Sequence, residues 1–175
     1  MSSVGKKIEV LSNIVVTVAA LLLGAVLIKT YLLPAPQDLR NNNQSAATTS
    51  NVIGKQISLP DINWSEREGA MILAVQSECH FCTDSAPFYK RLVDKQRSQS
   101  KLQLIAISPE PLPTTRAYFA SLGVSVEKVT QADFRSIGVL GTPTILRVNS
   151  SGVITNAWVG QLNSKQEAEV LEILQ

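Results

Sequence analysis

Ala70-Met71-Ile72-Leu73-Ala74-Val75-Gln76-Ser77-Glu78-Cys79-His80-Phe81-Cys82 is the stretch on which the reading of this chain turns. Residues 70–76 open on an unbroken apolar run and read as a buried strand. Residues 83–98 then show helical spacing of apolar positions. The two cysteines, the only ones in the chain, and its single histidine fall at the junction. That places two thiols on the first turn of a helix, where unpaired backbone amides and the helix dipole favour a thiolate, the form that attacks disulfides. The pattern points to reversible disulfide chemistry.

Other uses of a Cys-x-x-Cys pair fit less well. Structural zinc takes about four ligands, whereas this chain offers two thiolates and one imidazole wedged between them. Covalent haem attachment places His directly after the second cysteine, and Thr83 stands there. Copper delivery would want a distant His, and the chain has none. No metal site is therefore expected. A structural disulfide stays open as an alternative, although so short a loop constrains the unfolded chain little.

Outward from the motif, the apolar spacing continues as a stripe of Phe81, Phe88 and Leu92 beside one of Ala86, Tyr89 and Val93. Residues 56–62 read as a short strand, 102–107 as a second buried strand, 113–122 as a helix, 126–129 as a short strand and 131–137 as a short helix. Pro113 near the start and Gly123 just past the end suit the 113–122 helix. Residues 144–148 and 153–159 form a hairpin about the turn 149–152. A capping box at 164–167 opens a last helix with Ala168, Leu171 and Leu174 inward. Strands alternating with helices and ending in a hairpin give an α/β domain with a mixed central sheet flanked by helices. Trp64 and Trp158 read as packing residues, and Asp61, Glu66 and Glu68 as solvated loop charges.

The N-terminal third is organised differently. Residues 1–10 form a short tail. Residues 11–33 are a 23-residue apolar run, long enough to cross a hydrocarbon core of about 20 residues' span, with Lys29 able to snorkel and Tyr31 suited to an interface. The expected reading is a single transmembrane anchor. A cleaved signal peptide is the alternative, but the exit Leu32-Leu33-Pro34-Ala35-Pro36 lacks a good small-x-small site. Lys6 and Lys7 before the span orient the N-terminus to the cytoplasm and the domain outside. Residues 34–51 are a polar linker without apolar periodicity, and 52–175 are the folded domain.

The chain carries 16 Lys and Arg against 14 Asp and Glu, a net charge of +2. Setting aside Lys6, Lys7, Lys29 and Glu9 leaves a formally neutral remainder. No basic stripe with interleaved aromatics is present, which sets nucleic acid aside as a partner.

Two further features sharpen the fold. Pro87 lies five residues beyond Cys82, inside the expected helix, where an uncompensated proline costs about 3 kcal/mol. Gly141-Thr142-Pro143-Thr144 stands directly before a strand and suits a turn with a cis Thr142-Pro143 bond. In this order of motifs the sequence resembles the thioredoxin superfamily. Within it the chain is similar to the membrane-anchored TlpA/redoxin-type thiol-disulfide oxidoreductases. Residues 54–60 (Gly-Lys-Gln-Ile-Ser-Leu-Pro), 138–144 (Gly-Val-Leu-Gly-Thr-Pro-Thr) and 151–154 (Ser-Gly-Val-Ile) carry that likeness.

The resemblance implies a thioredoxin-like fold and an extracytoplasmic enzyme that exchanges disulfides with protein substrates, leaning to reductase. Cys79 would be the nucleophile and Cys82 the resolving thiol, with their disulfide as the redox group and no other cofactor. Thr142 would offer backbone hydrogen bonds to a substrate strand and Pro143 would shape the groove. His80, Phe81 and Glu78 would tune the pair, His80 favouring the thiolate and Glu78 opposing it. Partners would be protein thiols and disulfides, together with a membrane thiol-electron donor. The domain would face the periplasm or another extracytoplasmic space from a single-pass cell-membrane anchor.

The chain departs from the pattern in places. Glu78 takes the place of the usual Trp before the first cysteine. Where maturation-type members carry an acid three residues after the second cysteine, this chain has Ser85, with Asp84 beside it. A peroxidase reading lacks its Thr-x-x-Cys, since Thr114 and Thr115 have no cysteine after them. A non-catalytic binding or assembly module with a structural disulfide, and an oxidase or isomerase of secreted proteins, are the alternative functions.

Overall fold

The computed structural model describes residues 17–18, 21–23, 51–99 and 101–174. At the centre of the sheet lies β1 (Ala70–Ala74), all five residues buried. Strand β2 (Gln103–Ser108) runs parallel beside it, with Met71 opposite Leu104. On its other side β4 (Thr144–Val148) runs antiparallel, with Leu73 opposite Ile145. The parallel β3 (Lys128–Gln131) extends the sheet beyond β2, and the antiparallel β5 (Ile154–Val159) beyond β4. The order is β3-β2-β1-β4-β5, a mixed five-stranded sheet as the sequence led us to expect.

Because successive side chains of a strand point to opposite faces, β1 feeds two apolar layers. Met71, Leu73 and then Val75 join one layer with Phe88, Tyr89, Leu92 and Val93 of α2 (Ala86–Gln99), Tyr118 and Phe119 of α3 (Leu112–Ser121) and Val170 of α5 (Ser164–Ile173). Ala70, Ile72 and Ala74 face the other, closed by Val52, Ile57, Leu59 and by Ile137 of the short helix α4 (Phe134–Ile137). The β1–β2 and β2–β3 crossovers step in one direction across the sheet. Right-handed connections therefore send both of their helices to the same face. Each fully buried Leu or Ile contributes about 1.5–3 kcal/mol.

The helix expected over 83–98 is two helices. A first turn and a half, α1 (His80–Asp84), ends at Ser85, and α2 begins at Ala86. Pro87 therefore sits in the first turn of α2, where its missing N–H needs no partner. Ser85 covers the joint: its N–H and its Oγ both donate to Phe81 O, at 3.2 and 2.7 Å. The break turns Phe81 outward, so it is exposed rather than part of the core stripe with Phe88 and Leu92, and Ala86 is only half-buried.

Three other expectations shift. Residues 56–62 form no strand; a single bridge pairs Gln56 with Val153, and the chain then turns at Pro60 and at Asp61, whose φ is 57°. The capping box lies one residue earlier than read: Asn163 Oδ1 accepts from Gln166 N at 3.0 Å, and Gln166 Oε1 accepts from Asn163 N at 3.1 Å. In α5 it is Val170 that is buried, as is the C-cap Leu174, while Ala168 is exposed and Leu171 is half-buried. Trp158 is buried, and Trp64 packs against the second layer across Gly152.

The expected tail (1–10) and most of the expected anchor (11–33) and linker (34–51) lie outside the described residues. Thr17, Val18 and Leu21, Leu22, Leu23 are helical. Among the described residues no helix is long and apolar enough to cross a membrane.

Candidate active site

Leaving β1, the chain makes one turn before the first cysteine. Val75 N–H donates to Ile107 O at 3.0 Å, and Cys79 N–H closes the turn onto Gln76 O at 3.3 Å. Cys79 is the N-cap of α1, and its Sγ accepts the N–H of Cys82 at 3.1 Å. The two cysteines are disulfide-bonded, with Cα atoms 5.2 Å apart. With only five residues in α1, the local support for a Cys79 thiolate is this one amide more than a long helix's dipole.

The two sulfurs differ in access. Cys82 is 0 % exposed and belongs to the same buried layer as Phe88, Tyr89 and Trp158. Cys79 is half-buried at the edge of that layer. Facing Cys79 is the loop that leads into β4. Its Thr142 O lies 3.4 Å from Cys79 Sγ, and the Thr142-Pro143 bond is cis. Pro143 is buried, and its carbonyl accepts Gly160 N–H at 2.7 Å. Thr144 Oγ1 donates to Gly141 O at 2.7 Å, which holds the loop against the strand. Cys79 and Cys82 are thus brought against Thr142 and Pro143, 60 or more residues further along the chain.

The residues around the pair divide. His80 is highly exposed and turns toward its own helix, with Nε2 3.1 Å from Asp84 Oδ2 in an i,i+4 pair. An exposed pair of this kind is worth about 0–1 kcal/mol. Its ring lies against Phe81, centroids 5.9 Å apart. Glu78 is exposed. Among the described residues no group of three or more His, Cys, Asp or Glu is placed to hold a metal.

Sequence reasoning missed three residues at this site, Glu110, Tyr118 and Leu140. Glu110, two residues beyond β2, accepts from the N–H and Oγ–H of Ser77, which lies two residues before Cys79. Tyr118 of α3 puts its OH 3.4 Å from Thr83 Oγ1. Burial pushes the Tyr118 phenol up, the Thr83 hydroxyl lowers it, and the nearby Glu110 charge adds to the rise. Leu140, in the loop that carries Thr142, is 72 % exposed, and Phe81 is 56 % exposed. A signal for the neighbourhood of Glu110 was present: neighbouring parallel strands end at the same side of a sheet, so the loop after β2, with Glu110 as its one acid before α3, approaches the turn after β1. Leu140 and Tyr118 had no comparable signal.

No family model matches the chain, and no curated protein is similar to it in sequence. Solved structures are. A protein from Chlorobium tepidum described as a thiol:disulfide interchange protein DsbE superposes with a TM-score of 0.53 at 22% identity, over 70% of this chain and 93% of its own. A thiol-disulfide isomerase from Corynebacterium glutamicum gives 0.52 at 16% identity, over 69% and 96%. The thioredoxin domain of a thiol-disulfide oxidoreductase from Bacteroides vulgatus gives 0.52 at 12% identity, over 70% and 96%. At these identities the likeness is one of fold, and the fold is thioredoxin-like.

Proposed function

We propose that this chain is a thiol-disulfide oxidoreductase that exchanges disulfides with protein substrates through Cys79 and Cys82. The observation that carries the reading is the asymmetry of the pair: one sulfur half-exposed opposite the Thr142 carbonyl, its partner fully buried behind it. A structural disulfide has no need of such an arrangement. The named activities of the superposed proteins support the same chemistry.

In the reducing direction the Cys79 thiolate attacks one sulfur of a substrate disulfide. A mixed disulfide forms, and the other substrate sulfur leaves as a thiolate that takes up a proton. Cys82, after losing its own proton, attacks Cys79 Sγ. The Cys79–Cys82 bond closes and the second substrate sulfur departs as a thiol. Two electrons have passed to the substrate, and a dithiol donor must return them by the reverse exchange. The Cys82 N–H aimed at Cys79 Sγ supports a thiolate there. Thr142 offers its carbonyl to an extended substrate segment, and the exposed Phe81 and Leu140 give that segment apolar surface.

The lean to reductase, the anchor over 11–33, the linker over 34–51 and the extracytoplasmic placement of a domain over 52–175 belong to the same proposal. They rest on the sequence and on the family resemblance. A membrane dithiol would then be the natural electron donor.

The deciding measurement is the reduction potential against glutathione together with turnover of a protein disulfide. A potential above about −300 mV with turnover supports exchange chemistry, while a lower one without turnover makes the bond structural. Protease protection of the C-terminal domain in sealed inverted vesicles tests its placement.

A further inference from the structure

The turn that carries Cys79 is held from outside by one side chain. Ser77, at its middle, directs its N–H to both carboxylate oxygens of Glu110, at 3.1 and 3.2 Å, and its hydroxyl to Oε1 at 2.7 Å. Ser108 Oγ donates to Oε2 at 3.2 Å and accepts the Glu110 N–H at 3.2 Å. Ser108 is the fully buried last residue of β2, and Pro109 and Pro111 restrict the backbone on either side of Glu110. The carboxylate is therefore presented from a stiff base. Both carboxyl oxygens act as acceptors here, and an amide of the same shape would turn an NH₂ toward one of these donors. Hydrogen bonds to a charged acceptor are roughly twice as strong as neutral ones.

The other side of Cys79 is tied to the same part of the fold. Thr83 Oγ1 lies 3.5 Å from Cys79 O and 3.4 Å from the Tyr118 hydroxyl of α3, the helix that follows Glu110. Glu78, the acid next to the nucleophile in sequence, is exposed and takes no part in this arrangement.

We propose that Glu110 is a positioning residue for Cys79: by clamping Ser77 to the end of β2 it fixes the turn from which Cys79 Sγ meets Cys82 N–H and Thr142 O. The proposal rests on the exchange chemistry above for its purpose, but the clamp can be read without turnover. The charged and titratable side chains on the turn, α1, the segment after β2 and α3 are Glu78, His80, Asp84, Glu110, Arg116 and Tyr118, besides the two cysteines. Among them Glu110 is the one hydrogen-bonded to the turn itself.

The test uses the full chain, reduced, as wild type, Glu110→Gln, Ser77→Ala and the double variant. Alkylation of Cys79 by iodoacetamide is followed against pH, with the label located by mass spectrometry. Reduction of the disulfide by dithiothreitol is timed in parallel. Positioning predicts that Glu110→Gln moves the alkylation midpoint upward, because a displaced Sγ loses the Cys82 N–H that stabilises its thiolate. It also predicts reduction slower by about tenfold, the worth of one hydrogen bond to a charged group. Ser77→Ala should move both readouts the same way by less, and the double variant should be no worse than Glu110→Gln, since the two share one interaction.

An unchanged midpoint overturns the clamp. So does a downward shift, which would mean that Glu110 acts only by repelling the thiolate's charge. Fully additive effects overturn it as well. If Glu110→Gln does not fold, Ser77→Ala alone decides by the sign of its shift. A midpoint that rises in a protein that turns over no protein disulfide supports the clamp and removes the oxidoreductase reading instead.

Discussion

Cys79 and Cys82 share a bond yet belong to two regions built on different principles. The inner region, with Cys82, Phe88, Tyr89, Leu92 and Trp158, is a buried layer between the sheet and its helices. The outer region, with Cys79, Phe81, Thr142 and Leu140, is a rim where segments far apart in the chain converge. The inner region determines whether there is a fold at all. On the proposed chemistry, the outer one would set which molecules reach the sulfur. Substitutions should therefore separate into effects on stability and effects on exchange.

The largest effect expected lies on the cysteines themselves. Cys79→Ser should abolish exchange and trap no substrate, whereas Cys82→Ser should accumulate mixed disulfides visible on non-reducing gels. Equal trapping by both variants would erase the distinction between the regions. Next comes the inner layer: Leu73→Ala, at a fully buried site, should lower stability in denaturant titrations by about 2–5 kcal/mol. Phe81→Ala on the rim should stay within about 0.5 kcal/mol.

A smaller effect tests what the rim is for. Replacing Phe81 and Leu140 together by Ser should raise KM for a protein disulfide by about fivefold, equivalent to roughly 1 kcal/mol of lost apolar contact. Reduction by dithiothreitol should be unchanged. Equal losses with both reagents would mean that the apolar rim shapes the site rather than receiving substrate.

The smallest effect concerns pH. Burial pushes the Tyr89 phenol above its ordinary value of 10.0, with the Ser85 hydroxyl opposing, and Tyr118 moves the same way. The folded state keeps these protons where the unfolded chain releases them. Stability should thus be level below pH 10 and decline above it, and Tyr89→Phe should flatten that decline in alkaline denaturation curves.

The two regions were not equally legible in the sequence. The strands at 70–74 and 144–148 and the burial of Phe88, Leu92 and Val93 follow from apolar periodicity, which packing enforces. Cys79 and Cys82 stand out because the chain has no other cysteine, and the Thr142-Pro143 turn because Gly-Thr-Pro-Thr leads directly into an apolar strand. Phe81 was misplaced because periodicity carries a stripe straight through Ser85, and a helix break of one residue rotates everything before it. Glu110 was passed over because its flanking prolines explain it as a loop. Its role exists only once β1 and β2 lie side by side. The strand expected at 56–62 has adequate residues, but its pairing with the 152–154 segment stops at Ile57, and the chain turns at Pro60 and Asp61.

The bridge at Gln56 has a consequence for handling the protein. Gly54 N–H donates to Ile154 O, Ile154 N–H to Lys55 O, and Ile57 N–H to Gly152 O. Residues 54–57 therefore occupy the hydrogen-bonding groups along the start of β5, which would otherwise form an open border of the sheet. Val52 and Ile57 cover apolar surface beneath. A truncated form begun at residue 58 would bare that border, and bare borders recruit the same border of another molecule. Shortened versions that start at residue 51 should stay dispersed in solution, and those that start at residue 58 should self-associate as concentration rises.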